Sequence, residues 1–249
     1  MSASPIRHVL LDIEGTTCPV SFVSETLFPY ATAHLGPFLN HHGSSATVAE
    51  LIRQVQEAWA QDLDQQAVAL RKAVAQDTDP AKSVLPYLQW LIHEDRKLPA
   101  LKELQGLIWE AGYSSGELLG PLYEDVPPAL HRWQQRGLTL SVYSSGSVRA
   151  QQLLYANSNS GDLRGCFTHW FDTRIGSKNQ ASSYERICKA LNCLPAQVLF
   201  ISDSVAELDA ATEAGLAVLH SQRAEPSTMK NVDSCLQYPS ASSFESINP

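Results

Sequence analysis

The sequence predicts an α/β protein, a doubly wound parallel sheet with an inserted all-helical cap. Three observations carry that expectation. Short apolar runs that stop abruptly at polar clusters alternate with helical stretches, the pattern of parallel strands joined by crossover helices. Between the first such run and the next lies a long segment, 18-125, with helical periodicity and no convincing strand. A chain of 249 residues, 44% of them hydrophobic, holds one domain plus an insertion, or two small domains, around a real core.

Val9 to Leu11 read as a buried parallel strand that ends in a loop punctuated by Gly15. Helical spacing follows at Leu27, Ala31, Leu35 and Phe38, with breaks expected at Pro29 and Pro37. Thr47-Val48-Ala49-Glu50 reads as a capping box ahead of Leu51, Ile52, Val55 and Trp59. Asp79-Pro80 opens a helix with Leu85, Leu88, Leu91 and Ile92 on its buried stripe. Leu101 to Ala111 continue in another, which Gly112 is expected to terminate. Gly112 to Pro128 reads as a loop, with Tyr113 to Leu119 as a mobile rim.

The α/β pattern then resumes. Pro128 to Gln135 is a helix closed by Gly137, and Leu138 to Tyr143 a strand running into Ser144. Val148 to Tyr155 is helical and Asn157 to Gly165 a polar loop. Ser182-Ser183-Tyr184-Glu185 reads as a second capping box. Val198 to Ile201 is a strand, Val205 to Ala214 a helix ended by Gly215, and Leu216 to Leu219 a strand. The tail after Gln222 reads as a surface helix or strand. Residues 1-17 and 126-249 are thus expected to form the α/β core and 18-125 the helical cap. Sites in such sheets lie outside the carboxyl ends of the strands, and three strands end in polar clusters, at Asp12, Ser144 and Asp203.

A net charge of −8 argues against nucleic acid or an anionic membrane surface as partner. An anionic small substrate stays open, because a local lysine and a metal override the global sign. No apolar run reaches the ~20 residues of a membrane helix, and the run before Asp12 is too short for a signal-peptide core. Five cysteines (Cys18, Cys166, Cys188, Cys193, Cys235), odd in number and without a C-x-x-C pair, fit a reducing cytoplasm. A cytoplasmic monomer is expected. Cys18 reads as a packing residue, and no histidine pair has metal-ligand spacing.

Asp12 and Glu14 sit two apart, so both side chains point the same way. They repel unless something positive joins them, and Mg²⁺ suits oxygen ligands of this kind. Alone, such a pair serves equally as a helix cap and a solvated acid. The larger pattern is Asp12-Ile13-Glu14-Gly15-Thr16-Thr17, then Tyr143-Ser144-Ser145-Gly146-Ser147, then the run from Phe171 to Lys178 (Phe-Asp-Thr-Arg-Ile-Gly-Ser-Lys), then Ser202-Asp203 with Glu207. In that order these motifs resemble the haloacid dehalogenase superfamily of phosphoryl-transfer enzymes. They are similar above all to its enolase-phosphatase (acireductone synthase) family of methionine salvage, from about His8 to Leu219.

The resemblance implies a haloacid dehalogenase-like core and a set of roles. Asp12 is the expected nucleophile, forming an aspartyl-phosphate that water cleaves. Glu14 is the expected general acid and base, with its carboxylate or carbonyl near the metal. Asp203 is the expected Mg²⁺ ligand from a third strand, beside Asp12 and Glu14. Glu207 is a supporting acid, or a solvated residue favoured by the helix dipole. Ser144, Ser145 and the Gly146 N–H begin a helix and bind phosphate oxygens, or act as an ordinary N-cap. Lys178 neutralises charge on the transferring group. The implied substrate is 2,3-diketo-5-methylthiopentyl-1-phosphate, enolised and then dephosphorylated to the acireductone 1,2-dihydroxy-3-keto-5-methylthiopentene. The base for the enolisation stays unassigned between Glu14 and a cap residue. Two rivals remain: a phosphatase for another small metabolite without enolisation, and a phospho-acceptor module resembling response-regulator receivers. Receivers lack the helical insertion.

Overall fold

Val9, Leu10 and Leu11 are completely buried because β1 (His8–Leu11) lies inside a six-stranded sheet. Its neighbours are β2 (Thr139–Tyr143) and β4 (Val198–Ser202). Beyond them lie β3 (His169–Phe171) on one side, and β5 (Ala217–Ser221) and β6 (Ser240–Ala241) on the other. The order is β3-β2-β1-β4-β5-β6 and every ladder is parallel. Parallel sheets need helices over their faces, which explains why β1 and β4 read as unbroken apolar runs rather than alternating ones. The structure, a computed structural model, describes residues 5–74, 78–223 and 237–249.

The chain divides into two units. One comprises Met1–Phe22 and Leu119–Pro249, the other Val23–Leu118. The first holds the sheet, a single turn α1 (Val20–Phe22), and the helices α7 (Val126–Gln135), α8 (Val148–Ala156), α9 (Ala181–Ala190) and α10 (Val205–Glu213). Phe244 packs its ring against Trp133 at 5.4 Å, and Arg132 Nη2 donates to its carbonyl (2.8 Å). The end of the tail is therefore part of this core, and β6 is the edge strand. Cys235 and the rest of 224–236 lie outside the described residues. The strands β3 and β6, two or three residues long, are too short to show a period: β3 is not foreseen in the sequence, and β6 falls in the tail expected to hold a surface helix or strand.

The second unit is helical throughout its described residues. A π-helical turn (Val23–Leu27) precedes α2 (Phe28–His42), α3 (Ala46–Gln61), α4 (Gln65–Ala73), α5 (Pro80–His93) and α6 (Pro99–Ser115). Trp59 centres its core, stacked on Tyr87 at 4.7 Å and donating from Nε1 to Ala67 O at 2.8 Å. Asp79 caps α5 as expected, accepting from Ala81 N–H.

Several boundaries differ from the sequence expectation. Pro37 does not break α2: one lost backbone bond is outweighed by the burial of Leu35 and Leu39 on either side of it. Gly112 does not end α6. It lies inside the helix because a Cβ there would come within 2.7 Å of the Tyr30 ring, and Gly116, at φ +78°, terminates it instead. Tyr113 is accordingly helical and buried rather than part of a loop. Both expected capping boxes open earlier, α3 behind Ser45 and α9 behind Gln180.

Candidate active site

Asp12 N–H donates to Ile201 O (3.0 Å), so β1 stays paired with β4 until the acid leaves the sheet. Leu11 is level with Val142 on β2 and with Ile201 on β4. Asp12, Ser144 and Asp203 therefore emerge at the carboxyl ends of three neighbouring strands.

Lys178 Nζ lies 2.6 Å from Asp12 Oδ1 and 2.7 Å from Glu207 Oε2. Ser202 Oγ faces both acids as well, 3.3 Å from Asp12 Oδ2 and 2.9 Å from Glu207 Oε2. The Tyr143 ring lies under the ammonium at 5.9 Å. The loop that delivers the lysine is pinned by the first turn of α9: Tyr184 Oη donates to Lys178 O (2.7 Å) and Ser183 Oγ to Ser177 O (2.7 Å). Gly176 takes φ +146° with Ser183 close against its Cα, a turn closed to residues with a Cβ. Ser183, read from sequence as part of a cap, is spent on this loop.

Lys178 is almost fully buried. Burial alone favours the neutral amine, but Asp12 and then Glu207 outweigh it and hold the lysine above its ordinary range. Burial and the nearby Asp12 push the Glu207 carboxyl up despite its bond to Lys178. The Asp203 carboxyl is pushed up to about 7, first by burial and then by Asp12 and Glu207. Three acids, Asp12, Asp203 and Glu207, thus face one ammonium, an excess of acidic groups that the upward push on Asp203 and Glu207 reflects.

That excess is what a divalent cation would relieve. Among the described residues no three His, Cys, Asp or Glu side chains gather tightly enough to hold a metal unaided. Mg²⁺ does not require it, since it takes one or two carboxylates and completes its shell with waters and substrate phosphate. Asp12 and Asp203, with an oxygen from Glu14, fit such an oxygen-only set. Glu14 is half-buried and bridges to Cys18 through the backbone. The loop around it is tight: Ile13 O accepts from the N–H groups of Thr16, Thr17 and Cys18. Cys18 is a buried thiol whose Sγ donates to Pro19 O (3.7 Å).

Ser144, Ser145 and Gly146 do not begin the helix. They form the loop before it, and α8 starts at Val148 with Ser147 as its cap, accepting from Ala150 N–H. Ser144 Oγ accepts from Gly146 N–H (3.2 Å). The loop's anchors escaped sequence reading. Buried Gln151 donates from Nε2 to Gly146 O (2.9 Å) and Phe171 O (2.8 Å), and Asp172 Oδ2 accepts from Val148 N–H (3.3 Å). Ser202 was also missed, although its place beside Asp203 at a strand end was a usable signal. Thr17 Oγ1 and Tyr155 Oη, 2.8 Å apart in the interior, gave no such signal.

A family model for haloacid dehalogenase-like hydrolases matches residues 6–215. A protein of Synechococcus sp. (strain RCC307) named enolase-phosphatase E1 is 52% identical over 218 residues, 88% of this chain and 86% of its own. One of the same name from Synechococcus sp. (strain CC9902) is 47% identical over 219 residues, covering 88% of this chain and 89% of that one. Among solved structures, the UTR4 protein of Saccharomyces cerevisiae superposes with a TM-score of 0.74 at 32% identity, covering 97% of this chain and 100% of that one.

Proposed function

Since the chain belongs to the haloacid dehalogenase-like hydrolases, and within them to the enolase-phosphatases, we propose that it enolises and dephosphorylates 2,3-diketo-5-methylthiopentyl-1-phosphate in methionine salvage. The observation that carries the catalytic assignment is the Lys178 ammonium held between Asp12 and Glu207 at the sheet's carboxyl edge.

An Asp12 carboxylate oxygen attacks phosphorus; the new O–P bond forms as the substrate's ester O–P bond breaks, and Glu14 gives its proton to the departing oxygen. Glu14 then takes a proton from the water that cleaves the aspartyl-phosphate, which returns Asp12. Mg²⁺, held by Asp12, Asp203 and an oxygen of Glu14, would neutralise charge gathered on the phosphoryl group and on an enolate oxygen. Lys178 adds a fixed positive charge beside the nucleophile, and Glu207 with Ser202 keeps that ammonium in place. Ser144, Ser145 and Gly146 hold the non-reacting phosphate oxygens. The helical segment serves as the cap that shields the substrate from water. The enzyme works as a cytoplasmic monomer; no helix among the described residues is long and apolar enough to cross a membrane.

The test is incubation with the diketo phosphate and Mg²⁺. The expected result is a transient enol absorbance followed by acireductone and many phosphates released per chain. Phosphate without enol or acireductone would mean a phosphatase for another ester. A single phosphate retained per chain would mean a signalling module.

A further inference from the structure

Two consecutive carbonyls of the loop that carries Glu14 are held from one place, the end of β5. Ser221 Oγ donates to Gly15 O (3.0 Å). Arg223 donates to Thr16 O through both Nε (3.0 Å) and Nη2 (2.9 Å). The remaining arm, Nη1, pairs with Asp125 Oδ2 (2.7 Å) and reaches Ser242 O (3.2 Å). The guanidinium lies 4.4 Å from the Tyr123 ring centre and 4.5 Å from that of Phe244. Its side chain is only 6% exposed. Asp125 also accepts from Ser243 Oγ and from Phe244 N–H, which joins the tail to the same cluster.

A guanidinium stacked on rings and forked onto a single backbone oxygen is a rigid strut, because its planar geometry leaves little freedom to lose. The peptide it holds needs a strut. Gly15 sits at φ +66°, where the absence of a Cβ leaves the backbone free to swivel. Lys178 already supplies the cation beside Asp12, so the chemistry does not call for a second at Arg223.

We propose that Arg223, seconded by Ser221, is a positioning residue for Glu14. By fixing the peptide planes at Gly15 and Thr16 it keeps the Glu14 carboxyl aligned for proton transfer to the leaving oxygen. The proposal rests on Glu14 as the acid, as assigned above, and extends it to the C-terminal segment that completes the cluster.

The test compares Arg223→Ala with wild type on phenyl phosphate and p-nitrophenyl phosphate. The nitrophenolate leaves without help from an acid, whereas phenolate needs the proton. Misaligning Glu14 lowers kcat/KM on phenyl phosphate, which reads only the steps up to departure of the leaving group and not the shared hydrolysis, by about 10- to 100-fold. The loss on p-nitrophenyl phosphate is several-fold smaller, so the ratio of the two rates rises. Methylguanidinium at millimolar concentration, filling the vacated slot, returns the ratio toward wild type. Arg223→Lys, with the charge but no fork, recovers only part. An unchanged ratio in folded Arg223→Ala overturns the proposal, as does an equal loss on both esters, which marks a merely structural role. If Arg223→Ala does not fold, Ser221→Ala decides: a raised ratio with an unchanged thermal midpoint supports the proposal, and an unchanged ratio overturns it. Failure of wild type on the diketo phosphate strikes the assigned substrate alone, because the comparison is read on aryl esters.

Discussion

Gly15 and Asp203 approach so closely that a Cβ on the glycine would lie 2.2 Å from Asp203 Oδ2. The first strand's loop and the fourth strand's acid are thus packed backbone against carboxylate, and the missing side chain is what allows it. Gly15→Ala combines that clash with φ +66°, worth about 1–2 kcal/mol for a residue with a Cβ. The carboxylate swings aside more easily than the backbone, so the larger effect falls on the metal. The concentration of Mg²⁺ for half-maximal phosphate release rises at least about tenfold, read by titration beside thermal melting, a factor equivalent to about 1.4 kcal/mol. A normal Mg²⁺ titration would show that Asp203 is not a ligand.

Asp12→Asn keeps the shape of the nucleophile but removes its charge. Phosphate release is abolished while the circular dichroism spectrum and melting curve remain those of a folded protein. Asp203→Asn keeps some turnover at saturating Mg²⁺ but shifts the titration. Retained turnover in the first variant would relocate the nucleophile.

Lys178→Met leaves Asp12 and Glu207 facing each other in the interior without their shared ammonium. Breaking a buried pair from one side costs about 3–5 kcal/mol. The sign of its pH dependence follows from the acids left behind. Glu207, already held above its ordinary range, loses the ammonium that lowers it and rises further above its unfolded value, so the loss is largest at neutral and alkaline pH. It shrinks as pH falls toward the unfolded carboxylate range of about 4. Urea midpoints at several pH values measure it, and a loss independent of pH would refute the electrostatic origin.

Asp125 behaves in the opposite sense. Burial raises its carboxyl, but Phe244 N–H, then Arg223, then Ser243 overcome this and hold it below the usual range. Its contribution is therefore present above the unfolded value of about 3.9 and is lost as pH falls through the lower folded value. Asp125→Asn destabilises by about 2 kcal/mol at pH 7, and the gap to wild type closes in acid. Paired melts across pH 3–7 check this.

Much of the site could be read in the sequence because motif order survives without coordinates. Asp12, Lys178 and Glu207 are spread along the whole chain yet meet within hydrogen-bond distance. The residues that hold them were illegible for a physical reason. Gln151, Tyr155 and Arg223 act through neighbours brought close only by the fold, and none has a partner at a telling spacing. Gly112 was misread because a helix-ending glycine and one required by a tight ring contact look alike in one dimension. The order of strands could not be inferred either, since alternating elements dictate parallel pairing but not which strand is central.

The inner position of β1 has a consequence for biosynthesis. Residue 8 is made well before its partners, yet it pairs with residues 139 and 198. As the polypeptide leaves the ribosome, this short greasy segment must wait unpaired on its β4 side until that strand has emerged. Assembly is governed by that late, long-range closure, and the interval is when the nascent chain is most exposed to aggregation or in need of a chaperone.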